Sequence, residues 1–137
     1  MSVIRDLITE NENGAVSFGN YELDQKAKKS DFEVRGDYYK VKTFRESTRL
    51  ECNDALVYES EPGTAVHDFI RSEEGVSFCV ECPADCQIVL GLSDEATYRV
   101  IVDGKDTGMM DTGRGGKLVL SIPVGDSGST KMEVVRA

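Results

Sequence analysis

The sequence predicts an all-β fold: a single antiparallel β-sandwich, jelly-roll-like, with a short N-terminal amphipathic helix. Two observations carry this expectation. Short segments rich in β-branched and aromatic residues recur along most of the chain, and turn residues separate them every 8–12 positions or so. A chain of 137 residues also has room for one core and not for two, so residues 1–137 are expected to form one domain. No linker or convincing repeat divides them.

The elements follow in order. Val3, Ile4, Leu7 and Ile8 fall at i, i+3/i+4 spacing, which predicts a helix over residues 2–10 with Ser2 as its cap and Asn13-Gly14 as its stop. AVSF and NYEL then read as short strands. The basic stretch DQKAKKSDFEVRGD, with Lys26, Lys28, Lys29 and Arg35, reads as a solvated loop. DYYKVKTF alternates, with Tyr39, Val41 and Thr43 on one face. TRLECN and ALVYES form a hairpin about Asn53-Asp54, and Pro62-Gly63 marks the next turn. TAVHDFIRS, VSFCVEC, CQIVLGL, TYRVIVD, GMMDT, KLVLSI and TKMEVVR complete about eleven strands. Asp103-Gly104, residues 113–116 and residues 125–128 supply turns or links between them.

Composition excludes several function classes. The net charge of −9 repels nucleic-acid phosphates and anionic lipid. No stretch approaches the ~20 apolar residues of a membrane-spanning helix. No secretory signal is visible, so the expected location is the cytoplasm, where thiols stay reduced.

Cys79, Cys82 and Cys86 stand in a C-x2-C-x3-C spacing and are weak metal candidates. Zinc knuckles of this kind need a second pair of ligands, and the chain offers only the distant Cys52 and one histidine, His67. Strand alternation puts Cys79 on the face opposite Cys82. Pro83-Ala84-Asp85 then makes a hairpin tip that sets Cys82 opposite Cys86, as a thiol pair that is either reduced or bridged. No metal and no cofactor is expected.

Catalytic signals are sparse. His67 is the lone histidine, its neighbour Asp68 points to the other face of a strand, and no nucleophile elbow is present. Acidic residues are too numerous for any one pair to single itself out, and residues 113–116 lack the Lys-Ser/Thr of a phosphate-binding loop. No catalytic residue is assigned. The candidate ligand-binding residues are Tyr38, Tyr39, Tyr58 and His67, side chains that could offer rings and polar tips to a sugar on one face of a sandwich.

VSFGNYEL, KSDFEVRGDYYKVKTF, TRLE, VYESEPGTAVHDF and TYRVIVDGKDTGMMDTGRGGKLVLSIPV together resemble a group of small bacterial proteins sometimes labelled "endosialidase". The resemblance covers nearly the whole chain. Its phrases carry no catalytic motif, and with no tryptophan the chain lacks the S-x-D-x-G-x-T-W boxes of sialidases, so no catalytic residue carries over. Three readings follow. The first is a non-enzymatic binding or assembly domain, with self-association through the helix or the β-edges. The second is a carbohydrate-binding module, with a glycan as partner. The third, implied by the label, is a small glycoside hydrolase.

Overall fold

The computed structural model describes residues 3–123 and 129–137. Among them the chain forms thirteen strands: β1 (Ile8–Glu10), β2 (Val16–Phe18), β3 (Ala27–Val34), β4 (Asp37–Phe44), β5 (Ser47–Cys52), β6 (Ala55–Glu61), β7 (Ala65–Ser72), β8 (Gly75–Glu81), β9 (Cys86–Gly91), β10 (Thr97–Val102), β11 (Lys105–Asp111), β12 (Lys117–Ile122) and β13 (Thr130–Arg136). They build two sheets, in the orders β1-β2-β7-β8-β13-β10-β11 and β12-β9-β6-β5-β4-β3. Every strand pairing is antiparallel. The second sheet opens with the meander β3-β4-β5-β6. In the later half, β8, β9 and β10 pair with β13, β12 and β11 respectively, so one long hairpin is folded over both sheets. Ser2 and the expected link at residues 125–128 lie outside the described residues.

One apolar core joins the sheets. Its centre is aromatic. Tyr58 comes from the second sheet and meets Phe18, Phe69 and Phe78 of the first edge-on, at centroid distances of 5.2, 6.1 and 5.8 Å, the arrangement ring quadrupoles favour. The Tyr58 hydroxyl ends in a buried polar network. It lies 2.7 Å from Thr64 Oγ1, which also meets Ser60 Oγ at 2.9 Å. Thr48 Oγ1 accepts from the Thr64 amide at 3.0 Å and meets Thr43 Oγ1 at 2.8 Å. Among the described residues no buried side-chain nitrogen or oxygen lacks a partner, as a low-dielectric interior demands.

The N-terminal helix is not formed, and no α-helix is present among the described residues. The Ile4 amide donates to the Gly19 carbonyl at 2.9 Å, and the Gly19 amide returns a bond to the Leu7 carbonyl at 3.0 Å. Leu7 itself turns to φ 72. Backbone groups that a helix would pair internally are thus committed to the end of β2, and Ile8 enters the core from β1 instead. A helix of so few residues cannot compete with such pairing. The expected helix is therefore not there to carry a homo-oligomer contact.

Two other expectations change. NYEL is a turn: Asn20 Oδ1 accepts from the Glu22 amide at 3.0 Å. Residues 27–34, expected as loop, are the edge strand β3, paired to β4 on one side. Its polar residues are what an edge carries to block further pairing. The Lys26 and Lys29 ammonium groups sit over the rings of Phe44 and Phe32, at 5.6 and 5.2 Å, so the lysine stems also cover apolar surface.

β7 holds a bulge. Val16 and Phe18, two apart on β2, pair with Phe69 and Val66, three apart on β7. Asp68, the added residue, turns to φ 56. Its amide donates to Ser17 Oγ at 3.2 Å, and Asn11 Nδ2 donates to that same hydroxyl at 2.8 Å. The extra residue lets both Val66 and Phe69 face the core.

Candidate functional site

At one end of the sandwich, four connections converge: the 3-10 turn Glu12–Gly14 between β1 and β2, and the β3–β4, β5–β6 and β7–β8 turns. Between them lies an open, mainly polar cleft of about 550 Å³, lined by Gly14, Arg35, Tyr39, Cys52, Asn53 and Arg71 among others. The local sequence explains the convergence. Arg35-Gly36 and Asn53-Asp54 have positive φ at both positions, the geometry of two-residue hairpin turns that match strand twist.

Each guanidinium is placed by a different device. The Arg35 side chain lies across Gly14, which sits at φ 78. A Cβ there would come within 3.0 Å of Arg35 Cδ and 3.1 Å of its Nε. Arg71 comes from the exposed end of β7 and reaches the thiol of Cys52. Cys52 is the register partner of Tyr39 across β4 and β5. Tyr39, Cys52 and Arg71 thus form a chain of polar contacts along the cleft wall. Burial pushes the Tyr39 hydroxyl up to about 12, with the neighbouring Cys52 adding and Arg71 opposing. Burial likewise raises the Cys52 thiol, against the pull of Arg71.

The rim is braced. Asn53 Nδ2 donates to Asp37 Oδ1 at 3.0 Å, and Asn53 Oδ1 accepts from the Tyr38 amide at 3.0 Å. The exposed Tyr38 lines a second depression of about 320 Å³, which shares Tyr39 and Asn53 with the cleft. Arg49–Glu59 and Arg99–Asp106 form side-chain ion pairs. Arg35 and Arg71 belong to neither. The cleft therefore gathers the Arg35 and Arg71 guanidinium donors, the Asp37 and Glu73 carboxylates, the Asn13 and Asn53 amides and the Tyr39 phenol.

The four candidate ligand residues separate. Tyr38 and Tyr39 border the cleft region. Tyr58 is 0% exposed at the centre of the core and cannot touch a ligand; its alternating position carried it inward. His67 pairs with Cys79 across β7 and β8, on the face away from Val66 and Val80, and does not line the cleft. Cys82 and Cys86 meet with sulfurs 2.7 Å apart, while Cys79 points out of the opposite face of β8. Among the described residues no group of three or more His, Cys, Asp or Glu is placed to hold a metal ion.

The residues that sequence reasoning passed over are Arg35, Asp37, Cys52, Asn53 and Arg71. Arg35-Gly36 between two alternating segments was the one available signal. A slightly larger cavity of about 600 Å³ lies among β10–β13, lined by Val100, Val102, Met110, Leu120, Ile122 and Met132 among others. Its lining is mainly apolar, with Asp103, Thr107, Ser121 and Thr130 as polar groups and no guanidinium, so for a hydroxyl-rich or charged ligand the polar cleft is the stronger candidate.

The raised phenols give a pH prediction. Tyr21 and Tyr39 are shifted from 10.0 to about 12, and Tyr58 is also shifted upward, with burial the leading cause in each. A raised folded-state value means that the folded chain holds the proton more tightly than the unfolded one. The stability this contributes is complete below pH 10 and is lost as pH rises through about 12. Tyrosinate absorbance is expected to appear in part only as circular dichroism collapses in that window. Complete ionisation of all tyrosines near pH 10 with the β-sheet spectrum intact would contradict the burial.

Among the described residues no helix is long and apolar enough to cross a membrane. Comparison with protein-family models, with curated proteins and with solved structures gave no match to the chain.

Proposed function

We propose that this chain is a binding domain with no chemistry of its own, and that its ligand is a hydroxyl-rich molecule of the carbohydrate class held at the four-turn cleft. One observation carries the reading: Arg35 and Arg71 converge with Asp37, Tyr39 and Asn53 around one open cleft. Sugar hydroxyls both donate and accept, so they suit a surface that mixes guanidinium, carboxylate, amide and phenol groups. A carboxylate-bearing sugar would gain most from the paired guanidinium forks. The resemblance to proteins labelled "endosialidase" agrees with a saccharide ligand. Hydrolysis is the weaker reading. It needs two carboxyl groups flanking the scissile bond with one free to act as acid or nucleophile, and of the cleft's two carboxylates, Asp37 and Glu73, the first is already held by Asn53.

The test is an array of neutral and acidic oligosaccharides probed with the intact chain. Binding to a subset is expected, with acidic sugars ahead of neutral ones. An array without hits removes the reading. As to fold type, we read the nested pairing of β8-β9-β10 with β13-β12-β11 as a jelly-roll wrap. The cleft lies at the other, meander-built half.

A further inference from the structure

The β8–β9 connection carries the chain from one sheet to the other, and a cysteine stands at each side of it. Cys82 follows β8 and Cys86 opens β9, with Pro83-Ala84-Asp85 between them. Both side chains face inward, 7% and 5% exposed, and their Sγ atoms are 2.7 Å apart. That is closer than two non-bonded sulfurs rest, and a bond of ~2.05 Å asks for little further approach. Cys52 lies at the cleft end on β5, and Cys79 points out of the opposite face of β8, so neither can substitute for a member of the pair. The binding reading makes no use of these two thiols.

We infer that Cys82 and Cys86 form a reversible intramolecular disulfide that ties the two sheets together at this crossover. Cys86 is the attacking thiol. The contact with Cys82 holds the Cys86 thiol below the usual range, against burial and the charge of Asp85, while Cys82 is raised by the same contact. The thiolate is the nucleophile. Cys86 also lines an open depression of about 410 Å³ with Glu61, Asp85 and Gln87, which gives a small reagent access.

The oxidant is a low-molecular-weight disulfide of the glutathione class. Cys86 Sγ attacks one of its sulfurs, the reagent's S–S bond breaks, and one thiolate leaves. Cys82 gives up its proton and attacks Cys86 Sγ. The mixed disulfide breaks and the second thiolate leaves. One small disulfide is reduced to two thiols, which take up the two protons, and the protein dithiol is oxidised to one disulfide.

The test exposes the folded chain to oxidised glutathione, then alkylates it under denaturing conditions and weighs it. The expected product has lost two hydrogens and alkylates at two of its four cysteines, Cys52 and Cys79. Cleavage beside Asp85 should leave two fragments joined until dithiothreitol is added. Cys79→Ser should form the bridge as wild type does, and Cys86→Ser should form no bridge. Alkylation of all four cysteines, a bridge that includes Cys79, or glutathione left stably on Cys86 would overturn the inference. The mapping of the wild-type chain decides the matter even if Cys86→Ser does not fold.

Discussion

Tyr58→Ala is expected to lose about 3–5 kcal/mol of folding stability, the cost of emptying a buried aromatic site. Against the ~5–15 kcal/mol that holds a typical domain together, this brings the chain close to unfolding. The size follows from what Tyr58 touches. It is the one ring that the second sheet sends into the aromatic cluster, edge-on to Phe18, Phe69 and Phe78, so truncation empties the contact between sheets. Tyr58→Phe separates the ring from the hydroxyl. Thr64 Oγ1 keeps Ser60 as a partner, and the loss should fall to about 1 kcal/mol. Urea unfolding followed by circular dichroism checks both, with an unchanged slope showing that stability rather than compactness has moved. An Ala variant within ~1 kcal/mol of wild type would mean that the sheets do not pack through this ring.

Gly75→Ala is expected to be nearly as costly. Gly75 opens β8 at φ 146, opposite Val135 of β13 and Ser72 of β7. An added Cβ would stand 1.8 Å from the Val134 carbonyl oxygen and 2.9 Å from its carbon. That carbonyl cannot swing aside, because β13 is paired to β8 on one side and to β10 on the other. The strand must retreat from its partner in the middle of the sheet. Unfavourable backbone geometry and overpacking at ~1–3 kcal/mol each give a loss of about 2–6 kcal/mol. In a domain of this size the thermal midpoint should fall by roughly 10 °C. A midpoint within about 2 °C of wild type would contradict the close approach of β8 to β13.

Legibility in the sequence followed local physics. DYYKVKTF became β4 with Tyr39, Val41 and Thr43 buried as the alternation implied. Asn53-Asp54 and Asp103-Gly104 became hairpin turns at positive φ, because those residue types tolerate that conformation. The errors arose where one pattern serves two structures. Val3, Ile4, Leu7 and Ile8 fit a helical face, yet Ile4 and Leu7 bond Gly19 and Ile8 pairs with Phe18 of β2. β3 looked like a loop because an edge strand has polar residues on both faces. The bulge at Asp68 was invisible because strict alternation cannot show an inserted residue. The cleft was the least legible feature. Arg35 and Arg71 are far apart in the chain and come from different sheets, and nothing local to either announces the other. Cys82 and Cys86 do meet, as their spacing implied, but not across the expected hairpin tip: β8 and β9 lie in different sheets, and the two thiols face each other across a crossover.

Ligand binding at the cleft is tested most directly by a titration of the isotopically labelled chain with the strongest saccharide from the array, followed through backbone amide shifts. Shifts centred on Arg35, Asn53 and Arg71 are expected. Binding should weaken by about tenfold or more in Arg71→Ala, the loss of a charged hydrogen-bond donor at ~1.5–3 kcal/mol. Shifts that cluster instead around Val102, Met110 and Met132, or an Arg71→Ala variant that binds as tightly as wild type, would contradict it.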